Sequence, residues 1–225
     1  MALKLRGCGI PKERMLFSGR DLVKLIIPLF LQQALGVLVG TVDSMMVSHA
    51  GEAAVSGVSL VNSLDVVLIV FFSSMVAGGG VSVAQALGKK DAQAVCESAK
   101  QLLYITTSIA TFITVTVLTF RGPLLGLLFG DVEADVMQSA SDYFFYVALS
   151  FPLLAIIESV GGCFRASGNT RIALYISLMI NLINVCGNAI FIYVFELGAK
   201  GAALATLLAR FIGTVIMLIL VTSKK

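Results

Sequence analysis

The chain has 225 residues, 58% of them apolar and only 13% charged, with a mean hydropathy of +0.97. Soluble domains carry about 25% charged residues, so the composition excludes an ordinary soluble globular protein. A net charge of +3 describes no nucleic-acid partner, and a single histidine, His49, removes most metal-hydrolase and triad chemistry.

The four cysteines, Cys8, Cys96, Cys163 and Cys186, show no C-x-x-C spacing, so neither a disulfide framework nor a zinc site is expected. The expected class is an all-α polytopic membrane protein with the lipid bilayer as its surroundings, no cofactor and no enzymatic activity.

Taken in order, residues 1–21 form a basic leader with Lys4, Arg6, Lys12, Arg14 and Arg20, broken by Gly7, Gly9 and Pro11. No cleavable signal peptide is expected, because the first apolar run is too long for an h-region. Six spans are expected between residues 22 and 222. The first runs from about Leu22 to Ser48 and the second from Ala53 to Leu87, the latter long enough to project from the membrane. The polar stretch Gly88–Gln101 reads as a surface helix, ahead of a third span from Leu102 to Phe120. Residues Arg121 to Asp142 read as an acidic connection carrying Asp131, Glu133 and Asp135. A fourth span, Tyr143 to Phe164, contains Pro152, and the turn RASGNTR follows it. The fifth covers Ile172 to Phe195 and the sixth Gly201 to Val221, leaving residues 223–225 as a basic end.

The basic residues place this topology. With the N-terminus in the cytoplasm, the cytoplasmic segments hold Lys89, Lys90, Lys100, Arg165, Arg171, Lys224 and Lys225 besides the leader. The opposite side holds only Arg121 and Lys200. The positive-inside rule then gives both termini cytoplasmic, in a plasma-membrane protein.

The polar residues inside the spans point to function. Asp43 in hydrocarbon costs about 2.5–3.5 kcal/mol on insertion scales, so it is expected to face a polar interior. The alternative is that it stands near the aqueous end of its helix and is solvated. Gln32, Gly36, Gly40 and Asp43 share one stripe, and the two glycines would admit another backbone. Gln33 lies beside that stripe, and Pro28 is a candidate bending point. In the fifth span Asn181, Asn184 and Asn188 repeat at i, i+3 and i+7, a row of carboxamides that lipid would leave unsatisfied. Asn62 and Asp65 in the second span and Glu158 in the fourth are further cavity candidates, with Arg210 as a partner for one of the carboxylates.

Several stretches, in this order, carry a resemblance: IPLFLQQ, VDSMMVSHAGEAAVSGVSL, GGGVSVAQALGKKDAQ, LLGLLFGDVEADVMQSASDYF, FRASGNTR, and NLINVCGN followed by GAKGAALATLLA. From Phe17 to Thr222 the chain resembles the multidrug and toxic compound extrusion (MATE) family. The resemblance implies two six-helix lobes around a cavity that opens alternately to either side, of which this chain matches the first. It implies cation-coupled export of drug-like or organic-cation substrates, with H⁺ or Na⁺ as the coupling ion. The family's first-lobe cation site maps to Asp43, Asn184, Asn188 and Thr206, and its bending proline to Pro28. The only metal the resemblance brings in is Na⁺ at Asp43.

Position 188 is Asn where that pattern has Asp. The lost anionic ligand weakens a hard cation site more than a proton site. A six-helix chain also implies a missing second lobe: a fragment, a split half, or a partner chain that could be a second copy. Two other readings are a non-transporting remnant or interaction subunit, and a flippase for lipid-linked precursors from the same superfamily. The flippase reading calls for several basic cavity residues, whereas Arg210 is the only basic residue in a span interior. No H-E-x-x-H or paired-Asp motif supports an intramembrane hydrolase.

Overall fold

The computed structural model describes residues 19–130 and 132–223. Most of the basic leader, Asp131 and the terminal lysines lie outside the described residues. Among those described there is no strand. The helices are α1 (Gly19–Val47), α2 (Glu52–Gly88), α3 (Ala92–Thr119), α4 (Arg121–Phe129), α5 (Ala134–Leu149), α6 (Phe151–Ala166), α7 (Thr170–Asn188) and α8 (Gly198–Ser223). A 3₁₀ turn, Ser48–Ala50, ends the first span, and a π turn, Ala189–Val194, extends α7.

Five of these segments are long and apolar enough to cross a membrane, and the bent pair α5–α6 makes a sixth. Their outward faces fit lipid: Phe30, Val37, Phe112 and Val194 are each more than 70% exposed. α2, with 37 residues, is about 55 Å long at ~1.5 Å per residue. That exceeds the hydrocarbon thickness of about 30 Å, so part of it stands outside.

Three expected boundaries need correction. The first concerns α3, which begins at Ala92 rather than Leu102. Asp91 caps it by accepting from the Ala94 amide at 3.0 Å, and no glycine or proline follows to separate the polar turns from the apolar ones. The acidic connection is largely helical. Its apolar half folds as α4, which buries Leu125 and stops at Gly130 in a positive-φ conformation.

The third correction is the largest, because the fourth span is two helices meeting at 45° around Ser150. Pro152 has no N–H for the Ala148 carbonyl, and the side chains that meet the broken turn come from other helices. Thr114 Oγ1 lies 3.1 Å from the Ala148 carbonyl, and Thr214 Oγ1 lies 3.2 Å from that of Leu153. Arg210 Nη1 donates to Ser150 Oγ at 2.7 Å. α1, by contrast, runs unbroken through Pro28, which is buried.

The main core joins the end of α1 to α2, α5 and α8 through Val47, Val58, Val61, Phe144, Val147 and Ala203. Small residues set the helix spacing there. A Cβ at Gly57 would stand 2.7 Å from the Ala140 nitrogen and 2.9 Å from the Val136 carbonyl oxygen. Backbone cannot step aside as a side chain can, so α2 and α5 touch only because position 57 is glycine. Gly57→Val is expected to cost about 1–3 kcal/mol, read as a lower melting temperature of the detergent-solubilised chain. Gly78→Ala, a site with nothing within 4 Å, should leave it unchanged or slightly higher. Equal melting temperatures for both variants would contradict the close approach. The α1 pair Gly36 and Gly40 differs from Gly57: nothing lies within 4 Å of either. The backbone contact expected there is not made within the described residues.

Candidate functional site

Four polar side chains from three helices converge near the end of α1 that leads into the 3₁₀ turn. Asp43 belongs to α1, Asn184 and Asn188 to α7, and Thr206 to α8. Asn188 Nδ2 donates to Asp43 Oδ1 at 2.7 Å. With the nitrogen of Asn184 turned toward the carboxylate, it lies 3.0 Å from each Asp43 oxygen, and its carbonyl accepts from Thr206 Oγ1 at 3.1 Å. That orientation satisfies both ends of the amide.

Local sequence explains the convergence. Positions 184 and 188 are one helical turn apart and so share a face of α7. Gly187 between them lets α8 approach, since a Cβ there would meet that of Ala205 at 3.0 Å. Asn184 and Asn188 are buried and Asp43 is half-buried. Asn188 Oδ1 is buried without a partner, so one acceptor beside the carboxylate is unused.

A second cluster adjoins the first along α8. Thr206, Arg210 and Thr214 share one face at i, i+4 and i+8. Arg210 grips Asp65 of α2 with two nitrogens, at 2.7 and 3.3 Å, while also holding Ser150. Asn62, one turn before Asp65, accepts from the Tyr143 hydroxyl at 3.0 Å.

The remaining expected cavity residues lie elsewhere. Gln32, Gln33 and Glu158 line a separate cleft, where Glu158 pairs with Arg165 at 3.3 Å rather than with Arg210. Asn181 joins neither cluster, and its buried Nδ2 has no partner. Tyr143, Ser150 and Arg165 escaped the sequence reading. Tyr143 stood at a presumed helix start, Ser150 in an apolar run, and Arg165 counted only as a cytoplasmic charge. The buried partners of Arg210 were the signal for Ser150, and only the fold reveals them.

Chemically, Asp43 is a carboxyl group met by amide donors and, among the described residues, by no cation. Its neighbours supply oxygens (the Asn188 carbonyl and the Thr206 hydroxyl) suited to a proton or a hard monovalent cation. Among the described residues no cluster of three or more His, Cys, Asp or Glu side chains could hold a metal ion.

Known proteins resemble the chain in sequence and in fold. The chain is 28% identical over 215 residues to a protein named probable multidrug resistance protein NorM from Thermotoga maritima, covering 92% of this chain and 45% of that protein. It is 26% identical to the uncharacterized transporter YisQ of Bacillus subtilis, with 91% and 45% covered. The chain thus spans about half the length of these relatives. Among solved structures, a MOP superfamily transporter from Pyrococcus furiosus, described as having a binding pocket of reverse polarity, superposes with a TM-score of 0.84 at 21% identity. That match covers 90% of this chain and 44% of that one. A structure described as MATE in the bent conformation gives 0.81 at 22%, covering 89% and 44%. Identities this low establish the fold. Residues 28–190 match the MatE family model, and with that match over well more than half its length the chain belongs to the multidrug and toxic compound extrusion family, whose members are transporters and not enzymes.

Proposed function

We propose that this chain is one lobe of a cation-coupled exporter of amphipathic or cationic drug-like compounds, with Asp43 holding the coupling ion, H⁺ or Na⁺. One observation carries the reading. Asp65 and Glu158 each have a guanidinium partner, while among the described residues Asp43 is met only by carboxamides. An unneutralised carboxylate at that depth favours a proton or cation from water.

Loading the ion removes the unpaired charge and changes what α1 must hydrogen-bond, so α1 repacks against α7 with Pro28 as its bending point. The driving force is about 2.3 kcal/mol per charge per 100 mV, plus any ion gradient. Both termini face the cytoplasm of a plasma-membrane protein in this reading, and a second six-helix lobe, from another chain or a second copy, closes the cavity. The engagement of Arg210 with Asp65 supports export over flipping of lipid-linked precursors, because it occupies the guanidinium that a pyrophosphate would need there.

Efflux of a fluorescent organic cation tests this in cells lacking their own pumps. The chain is expressed alone and together with the second half of a full-length relative. Export is expected from at least one arrangement, and Asp43→Asn should abolish it while the protein still inserts. Wild-type efflux from the variant would sink the coupling role.

A further inference from the structure

The cleft that holds Gln32, Gln33 and Glu158 is a candidate site of its own. It encloses about 560 Å³ between α1, α2 and α6, at the end of the lobe where α1 begins and α2 and α6 finish. That volume lies within the range of small-molecule pockets, about 300–1,000 Å³. Its walls are mostly apolar, with a small set of polar groups.

Those polar groups are arranged unusually. Arg165 does not reach for water beyond the end of its helix, as a terminal arginine normally does. It folds back seven residues along α6 to place Nη2 3.3 Å from Glu158 Oε2. The path runs over two glycines: a Cβ at Gly161 would stand 3.3 Å from Nη1, and one at Gly162 would sit 3.7 Å from Nη2 and run into Val76. The helix therefore carries a bare shelf on which the guanidinium rests.

The contact with Glu158 uses one nitrogen and one oxygen, so the other guanidinium donors and Glu158 Oε1 make no further hydrogen bond among the described residues. Ser73 and Gln32, both half-buried, and the exposed Gln33 also line the cleft, and their side chains make no hydrogen bond to another described residue. A partly buried cleft with this many unused donors and acceptors is set up for a polar ligand.

The charge pattern selects the ligand. The two charges cancel, so a singly charged compound that pairs with one of them leaves the other uncompensated. A molecule with an ammonium and an anionic group close together satisfies both. We propose that this cleft binds zwitterionic amphiphiles, with the ammonium on Glu158, the carboxylate or phosphate on Arg165, and the apolar body along α1 and α2. Two sources share that chemistry, a soluble amphiphile and a phospholipid headgroup.

Equilibrium binding tests this without any transport step, so its failure leaves the Asp43 reading standing, and the reverse holds. The chain has no tryptophan, and Val81→Trp at the rim gives a single fluorescent reporter. The protein is placed in nanodiscs of phosphatidylglycerol alone and titrated with N-decylglycine, decylammonium and decanoate. N-decylglycine is expected to bind saturably and about tenfold more tightly than either singly charged analogue. Glu158→Gln and Arg165→Gln should each erase that preference. Ala77→Phe fills the cleft without touching the ion pair, so it should abolish binding even if a charge variant fails to fold. Adding phosphatidylethanolamine identifies the source: competition assigns a lipid headgroup, and no competition assigns a soluble amphiphile. Equal affinity for the three probes, or unchanged binding in Ala77→Phe, overturns the proposal.

Discussion

Arg210→Met should lower the melting temperature of the detergent-solubilised chain by roughly 10 °C, whereas the double change Asp65→Leu with Arg210→Met should recover most of that loss. The side chains of Arg210 and Asp65 are only 11% and 14% exposed, so little water can replace a lost partner. Removing the guanidinium strands a carboxylate among the spans, which costs about 3–5 kcal/mol for a buried pair. It also withdraws the donor to Ser150 at the α5–α6 break. Removing both charges costs far less, because two ions no longer need to be held away from water. Asp65→Asn with Arg210 intact should fall between the two. If Arg210→Met melted with the wild type, the pair would carry no stability, and the joint at Ser150 would need another explanation.

That joint also marks where reading the sequence stops working. Six spans are legible because hydropathy is a sum over some twenty residues, and single errors average out. The break at Ser150 depends on single atoms of Thr114, Arg210 and Thr214, brought from elsewhere in the chain. Pro152 announced a bend in an expected continuous helix; whether it becomes a full break is decided by those distant partners. The Asn row shows the same limit. Helical spacing puts Asn181, Asn184 and Asn188 on one stripe, yet only the last two reach Asp43. Asp43, Asn184, Asn188 and Thr206 could be grouped through family resemblance, since nothing in their spacing along the chain brings α1, α7 and α8 together. Arg165 was hidden for another reason. Charge counting sends an arginine at a helix end to water, and the Gly161–Gly162 shelf that turns it back is a property of packing.

Asn188→Asp should convert the Asp43 cluster into a site with a strong and selective response to Na⁺. The Asn188 nitrogen now donates to Asp43 Oδ1 at 2.7 Å. An oxygen in its place faces another oxygen at that distance, and two bare carboxylates so close repel strongly unless a cation or a shared proton lies between them. The ligand set would then hold two carboxylates, the Thr206 hydroxyl and the Asn184 amide, which can turn its carbonyl inward. Hard monovalent cations favour such oxygens. Binding to the folded state alone stabilises it by about 2.7 kcal/mol at one hundred times the dissociation constant. In choline chloride the variant should melt below wild type. Replacing choline with Na⁺ should raise its melting temperature by several degrees more than it raises that of wild type, and K⁺ should do less. Adding Asp43→Asn should remove the response, because one carboxylate is then gone. A variant that responds to Na⁺ no more than wild type does would mean that Na⁺ does not enter the cluster, which would leave the proton as the coupling ion in the role proposed for Asp43.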